Sequence, residues 1–144
     1  RAVVVGITEK TIQEHLQIRA ALESEACVLC CKNKIDLKRI DQILRVSREV
    51  IEDKDYESYA SLNQTFHMEL WLAAGNNKLE NMLSELWNGL SRGMQINEEE
   101  HIRKSLNDHE EIVECIRKGN EVECYVKMHA HIEESCRNFL LQYP

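Results

Sequence analysis

Three histidines carry most of the chemistry this sequence offers. His67, His109 and His131 lie far apart in the chain, each beside apolar residues at helical spacing. His67 follows Phe66 and precedes Leu70 by three positions, His109 sits between Leu106 and Val113, and His131 comes three residues after Met128. Residues three and four apart share one face of a helix, so each imidazole borders a face that meets the core. Asn63 lies four residues before His67, and its amide oxygen projects from the same face one turn away. Three imidazoles with one oxygen suit zinc, nickel, copper, cobalt or manganese better than calcium. The same spacing also fits an anion site, or three histidines packed separately at the core boundary.

Helices must position these groups, and the composition favours helices. Glycine occurs five times and proline once, at the last position. Strand-rich folds need turn residues more often. Thr8 is a candidate N-cap for a first helix over Glu9–Lys32, and apolar periodicity predicts further helices over about 35–52, Tyr56–Ala74, about 78–92, a fifth ending near Lys118, and Glu121–Gln142. Gly75-Asn76 and Gly119-Asn120 read as helix stops. The inner stripe of the first helix is expected to hold Ile12, Leu16, Ile18, Leu22, Ala26 and Leu29. Val46 is expected inside on the second, Met82 on the fourth, and Val122 and Val126 on the sixth. The predicted architecture is all-α, an antiparallel bundle of about six helices over residues 9–144, with residues 1–8 as the remnant of an interdomain linker.

Charge narrows the partners. Acidic residues outnumber basic ones 25 to 18, for a net charge of −7, and the basic residues are scattered among the acids. A DNA-gripping surface needs a basic stripe, so this segment is not expected to hold DNA by itself. No apolar run reaches membrane-spanning length and no signal peptide is evident, which points to the cytoplasm. Cys27, Cys30, Cys31, Cys115, Cys124 and Cys136 all fall in apolar helical patterns and read as reduced, buried thiols. His15 and His101 are expected to be exposed, His129 to face outward, and Trp71 and Trp87 to lie in the core or at a dimer contact.

Four segments in register then resemble the C-terminal, effector-binding domain of FadR-type regulators in the GntR family. Leu62-Asn-Gln-Thr-Phe-His-Met-Glu-Leu-Trp-Leu-Ala-Ala-Gly-Asn76 is similar to that family's aspartate, phenylalanine-histidine and Gly-Asn pattern. Asp108-His-Glu-Glu-Ile-Val-Glu-Cys-Ile-Arg-Lys-Gly-Asn120, Met128-His-Ala-His-Ile132 and Arg19-Ala-Ala-Leu-Glu23 resemble its other motifs. The resemblance implies a divalent transition metal, zinc first and nickel or manganese next, held by Asn63, His67, His109 and His131. It further implies a small carboxylate effector held partly by Arg19, a homodimer, and an N-terminal winged-helix domain through which alone operator DNA would be bound. Asn63 stands where the family has aspartate. A neutral amide is a weaker ligand, and it leaves the centre one positive unit richer, which favours an anionic effector. Arg19 has a plainer alternative, an ion pair with Glu23 four residues on.

Two other readings stay open at this stage. A three-histidine metal centre with an open position also describes hydrolytic and oxygen-activating enzymes. Glu69 and Glu110 neighbour the histidines in sequence, but their helix positions point away from the shared face, leaving no evident general base. A purely structural bundle with no ion is the third.

Overall fold

The structure is a computed structural model and describes residues 7–95 and 97–142. The first six residues of the expected linker remnant lie outside the described residues. The rest fold as an all-α bundle of six helices: α1 (Glu9–Lys32), α2 (Lys38–Glu52), α3 (Tyr56–Ala74), α4 (Asn77–Asn88), α5 (Glu99–Lys118) and α6 (Glu121–Gln142), with a 3-10 turn at Ser91–Met94. No strand occurs among the described residues, and none of their helices is long and apolar enough to cross a membrane.

Local sequence sets the helix ends. The side chains of Thr8, Asp55 and Asn76 accept hydrogen bonds from the backbone N–H groups of Thr11, Ser58 and Leu79. Asn120 Oδ1 accepts from Glu123 N at the start of α6. Each such cap is worth about 1 kcal/mol, because it satisfies a donor the first helical turn leaves unpaired. Gly75 (φ 75°) and Gly119 (φ 70°) close α3 and α5 in the left-handed conformation, where a side chain would be strained. Two ends differ from expectation. The second helix begins at Lys38, since the Asp36 carboxylate accepts from Lys38 N and turns the chain just before it. The fourth stops at Asn88 because Gly89 leaves helical geometry (ψ −108°), and the chain then turns through Ser91–Met94.

α1 and α6 form the most extensive helix pair, and α3 and α5 complete the core. Phe66, Trp71, Trp87, Leu106, Ile112, Met128 and Ile132 are fully buried there. Truncating one such aromatic to alanine costs about 3–5 kcal/mol, from lost transfer energy plus the cavity left behind. Several expected core positions face outward instead: Ile18 (54% exposed), Val46, Met82, Val122 (75%) and Val126. Ile18, Val46, Val122 and Val126 each lie two residues from a buried position, and a rotation of about 200° over two positions carries them to the far side; Met82 lies one residue from buried Leu83, at the margin of its stripe.

Candidate metal centre

α3, α5 and α6 each deliver one imidazole to a common point. The ligand atoms of His67, His109 and His131 all lie within 4.8 Å of one another, and all three side chains are buried. His109 Nε2 and His131 Nε2 are 3.2 Å apart. Nitrogens on one tetrahedral zinc are separated by about 3.3 Å, given zinc–nitrogen bonds of about 2.0–2.1 Å. Phe66 stacks on His109 with ring centroids 4.1 Å apart, which fixes the plane of that imidazole.

Carboxylates hold the back of two rings. His67 Nδ1–H donates to Glu23 Oε1 at 2.7 Å, and His131 Nδ1–H donates to Asp108 Oδ2 at 2.8 Å. A proton committed to Nδ1 leaves Nε2 as the lone-pair nitrogen, the arrangement seen when histidine ligates a metal. Glu23 is fully buried on α1 and carries further bonds, from Trp71 Nε1 to Oε1 at 2.9 Å and from Arg19 Nε to Oε2 at 2.7 Å. Lys104 donates to the other oxygen of Asp108. Burial alone would raise the Glu23 carboxyl, but its polar partners His67, Arg19 and Trp71, which donate hydrogen bonds to it, outweigh burial and hold the pKa well down. For Asp108, too, burial is outweighed, by the bonds from His131 and Lys104.

The imidazoles suit a metal in their protonation as well. Burial, followed by the positive influence of His131, His67 and Arg19, pushes His109 well below its ordinary value. Burial also lowers His67, although Glu23 pulls partly the other way. A neutral imidazole is the form that ligates. The donor set, its spacing and its carboxylate backing therefore fit a divalent transition metal.

These shifts predict a pH response. A histidine depressed in the folded state gives full stability above its unfolded value of 6.5 and loses it as pH falls below that value, because the unfolded chain takes up the proton first. The chelated domain should show urea midpoints that drop between about pH 7.5 and pH 5.5. A flat or rising midpoint over that window contradicts neutral, buried imidazoles.

A cavity of about 50 Å³ opens beside the histidines. Its walls include His67, His131, Arg19, Asn63, Trp87 and Gln95, and no carboxylate of the described residues lines it. Asn63 shares this cavity with His67 and His131, its amide donating to Gln95 Oε1 at 3.3 Å. Arg19 also lines it while pairing with Glu23, and its guanidinium lies 4.9 Å over the Trp87 ring. The Trp87 indole N–H is the one buried side-chain polar atom among the described residues without a partner. His15 and His101, expected to be exposed, are half-buried, bonded to Ser91 and Asn138 respectively. Glu69 and Glu110 pair with Arg39 and Arg48, away from the cavity.

Glu23, Asp108 and Trp87 were not singled out from sequence as parts of the centre. Glu23 stood in plain view in Arg19-Ala-Ala-Leu-Glu23, where helical spacing showed only its pairing with Arg19. Asp108 is next to His109 in sequence yet bonds to His131 on another helix, a pairing with no local signal.

Against known proteins, the family model for the FCD domain matches residues 14–134. Among solved structures, E. coli McbR/YncC has a similar fold, with a TM-score of 0.84 over 99% of this chain and 77% of that chain, at 16% sequence identity. At that identity the likeness speaks to fold. No curated protein sequence matches significantly.

Proposed function

The chain belongs to the FCD domain family, and from that premise we propose that it is the ligand-sensing part of a GntR-type transcription regulator. In this reading His67, His109 and His131, with Asn63, hold a divalent metal, zinc before nickel or manganese, and a small carboxylate binds beside it. The observation that carries the proposal is the convergence of three buried imidazoles, two of them backed by carboxylates, with His67 and His131 facing a cavity that no carboxylate of the described residues lines. When bound, the metal would supply a fixed positive charge for an anion. Arg19 offers a second cation, and the Trp87 N–H offers a donor awaiting an acceptor. A cavity of about 50 Å³ admits a few waters or an acid of a few carbons, not a long acyl chain.

Sensing fits the site better than turnover. A hydrolytic centre needs a base within reach of its metal-bound water, and both nearby carboxylates are committed to imidazole Nδ1 atoms. Effector binding would bias two arrangements of a homodimer and so the operator fit of attached winged-helix domains. Exposed Ile18 on α1 and Met82 on α4 support those helices as the dimer contact.

The test is metal analysis of protein purified without a histidine tag, followed by thermal shifts with two- to four-carbon hydroxy and dicarboxylic acids. Stoichiometric metal is expected, with an acid-dependent rise of roughly 8 °C near 100 times Kd that chelator removes. Metal-free protein that no ion stabilises, or an acid converted to product, would overturn this function.

A further inference from the structure

Two cysteine sulfurs from different helices lie in direct contact. Cys31 Sγ in the last turn of α1 and Cys124 Sγ in the first turn of α6 are 2.9 Å apart, both as free thiols. Neither belongs to the histidine centre: Cys31 lies eight residues, about 12 Å of helix, beyond Glu23. A metal is a poor explanation for the pair. The histidine trio is the one group of three or more metal-ligating atoms within reach of each other among the described residues, so no third sulfur or carboxylate joins these two. Cys30 is already engaged, donating to Leu70 O at 3.4 Å.

The two thiols differ in access. Cys124 is fully buried, whereas Cys31 is slightly exposed and lines a surface groove with Lys32, Lys34, Arg117 and Lys118, opposed there by Asp36 and Glu121. Burial, then the hydrogen bond with Cys31, raises the Cys124 thiol, which keeps it protonated until a partner sulfur is activated.

We propose that Cys31 and Cys124 form an oxidisable dithiol, a modification site whose oxidant is hydrogen peroxide entering by this groove. The Cys31 sulfur attacks one peroxide oxygen, the O–O bond breaks, and the other oxygen leaves as water with the thiol proton, giving a sulfenic acid on Cys31. The Cys124 sulfur then attacks the Cys31 sulfur; the S–O bond breaks, and a second water leaves with the Cys124 proton. Two thiols lose two protons and two electrons, and hydrogen peroxide takes them up to become two waters. The disulfide ties α1 to α6, the helices that carry Glu23 and His131.

Reduced protein treated with hydrogen peroxide should lose two hydrogens by intact mass and yield a single cross-linked peptide pair containing Cys31 and Cys124. Closing a chain loop of 93 residues should raise Tm by about 10 °C, reversibly with reductant. Cys31→Ala and Cys124→Ala should each abolish the cross-link, and the wild-type peptide map carries the test even if one variant folds poorly. Oxygen addition at Cys31 without a cross-link, a disulfide between other cysteines, or an unchanged mass overturns the proposal.

Discussion

Alanine at Glu23 should destabilise the domain by about 3–5 kcal/mol, the range for removing one partner from a buried ion pair. The carboxylate is 1% exposed and satisfies three groups at once: the Arg19 guanidinium, the His67 imidazole and the Trp71 indole. Without it, Arg19 keeps its charge at 7% exposure and loses its ion-pair partner, with the Trp87 ring face 4.9 Å away. The Trp71 N–H loses its acceptor, and an orphaned buried donor costs about 1–3 kcal/mol. Small domains hold only about 5–15 kcal/mol in total, so a large share would vanish. Urea unfolding in chelator isolates this effect from metal binding, and a loss under about 1 kcal/mol would refute the buried network. Glu23→Gln separates the two roles of the residue. It keeps an acceptor oxygen for one donor but drops the charge behind His67, so metal affinity should fall about 10- to 100-fold even where folding survives.

Metal affinity should move in opposite directions at two other positions. His109→Ala removes one of three converging nitrogens and is expected to weaken binding by at least about 100-fold, beyond the loss typical of a supporting carboxylate. Asn63→Asp exchanges a neutral oxygen for an anionic one beside the same cavity and should tighten binding by about 10-fold, since hard carboxylate oxygen outcompetes an amide for a divalent ion. The exchange also removes the Asn63 N–H donor to Gln95 Oε1, and a flip of the Gln95 amide lets its N–H donate to the new carboxylate instead. Competition against a chromophoric chelator reads both variants at a temperature where each is folded. Equal affinity in wild type, His109→Ala and Asn63→Asp would remove these residues from the metal.

The positions of the histidines were legible because helical spacing is a one-dimensional signal: each imidazole sits three or four residues from a core neighbour, and the bundle brings such faces together. The caps at Thr8, Gly75 and Gly119 were legible for the same local reason. What lay hidden was pairing across helices. Glu23 to His67 spans 44 residues and Asp108 to His131 spans 23, and nothing in either segment names its partner. The core stripe was overfilled at Ile18, Val46, Met82, Val122 and Val126. Apolar type alone does not say how wide the buried arc is, and a helix packed on one side leaves its margins in water. The half-burial of His15 and His101 follows from the turn at Ser91 and the end of α6, which no local pattern foretold.

The two indoles sit in opposite circumstances. Trp71 gives its N–H to Glu23, while Trp87 keeps a free N–H at the cavity wall beneath the Arg19 guanidinium. These are the only tryptophans in the sequence. The molecule thus carries two built-in fluorophores with divided duties. Trp71 emission follows the shell behind the histidines, and Trp87 emission follows whatever enters in front of them, so metal loading and effector arrival can be told apart optically without attaching a dye.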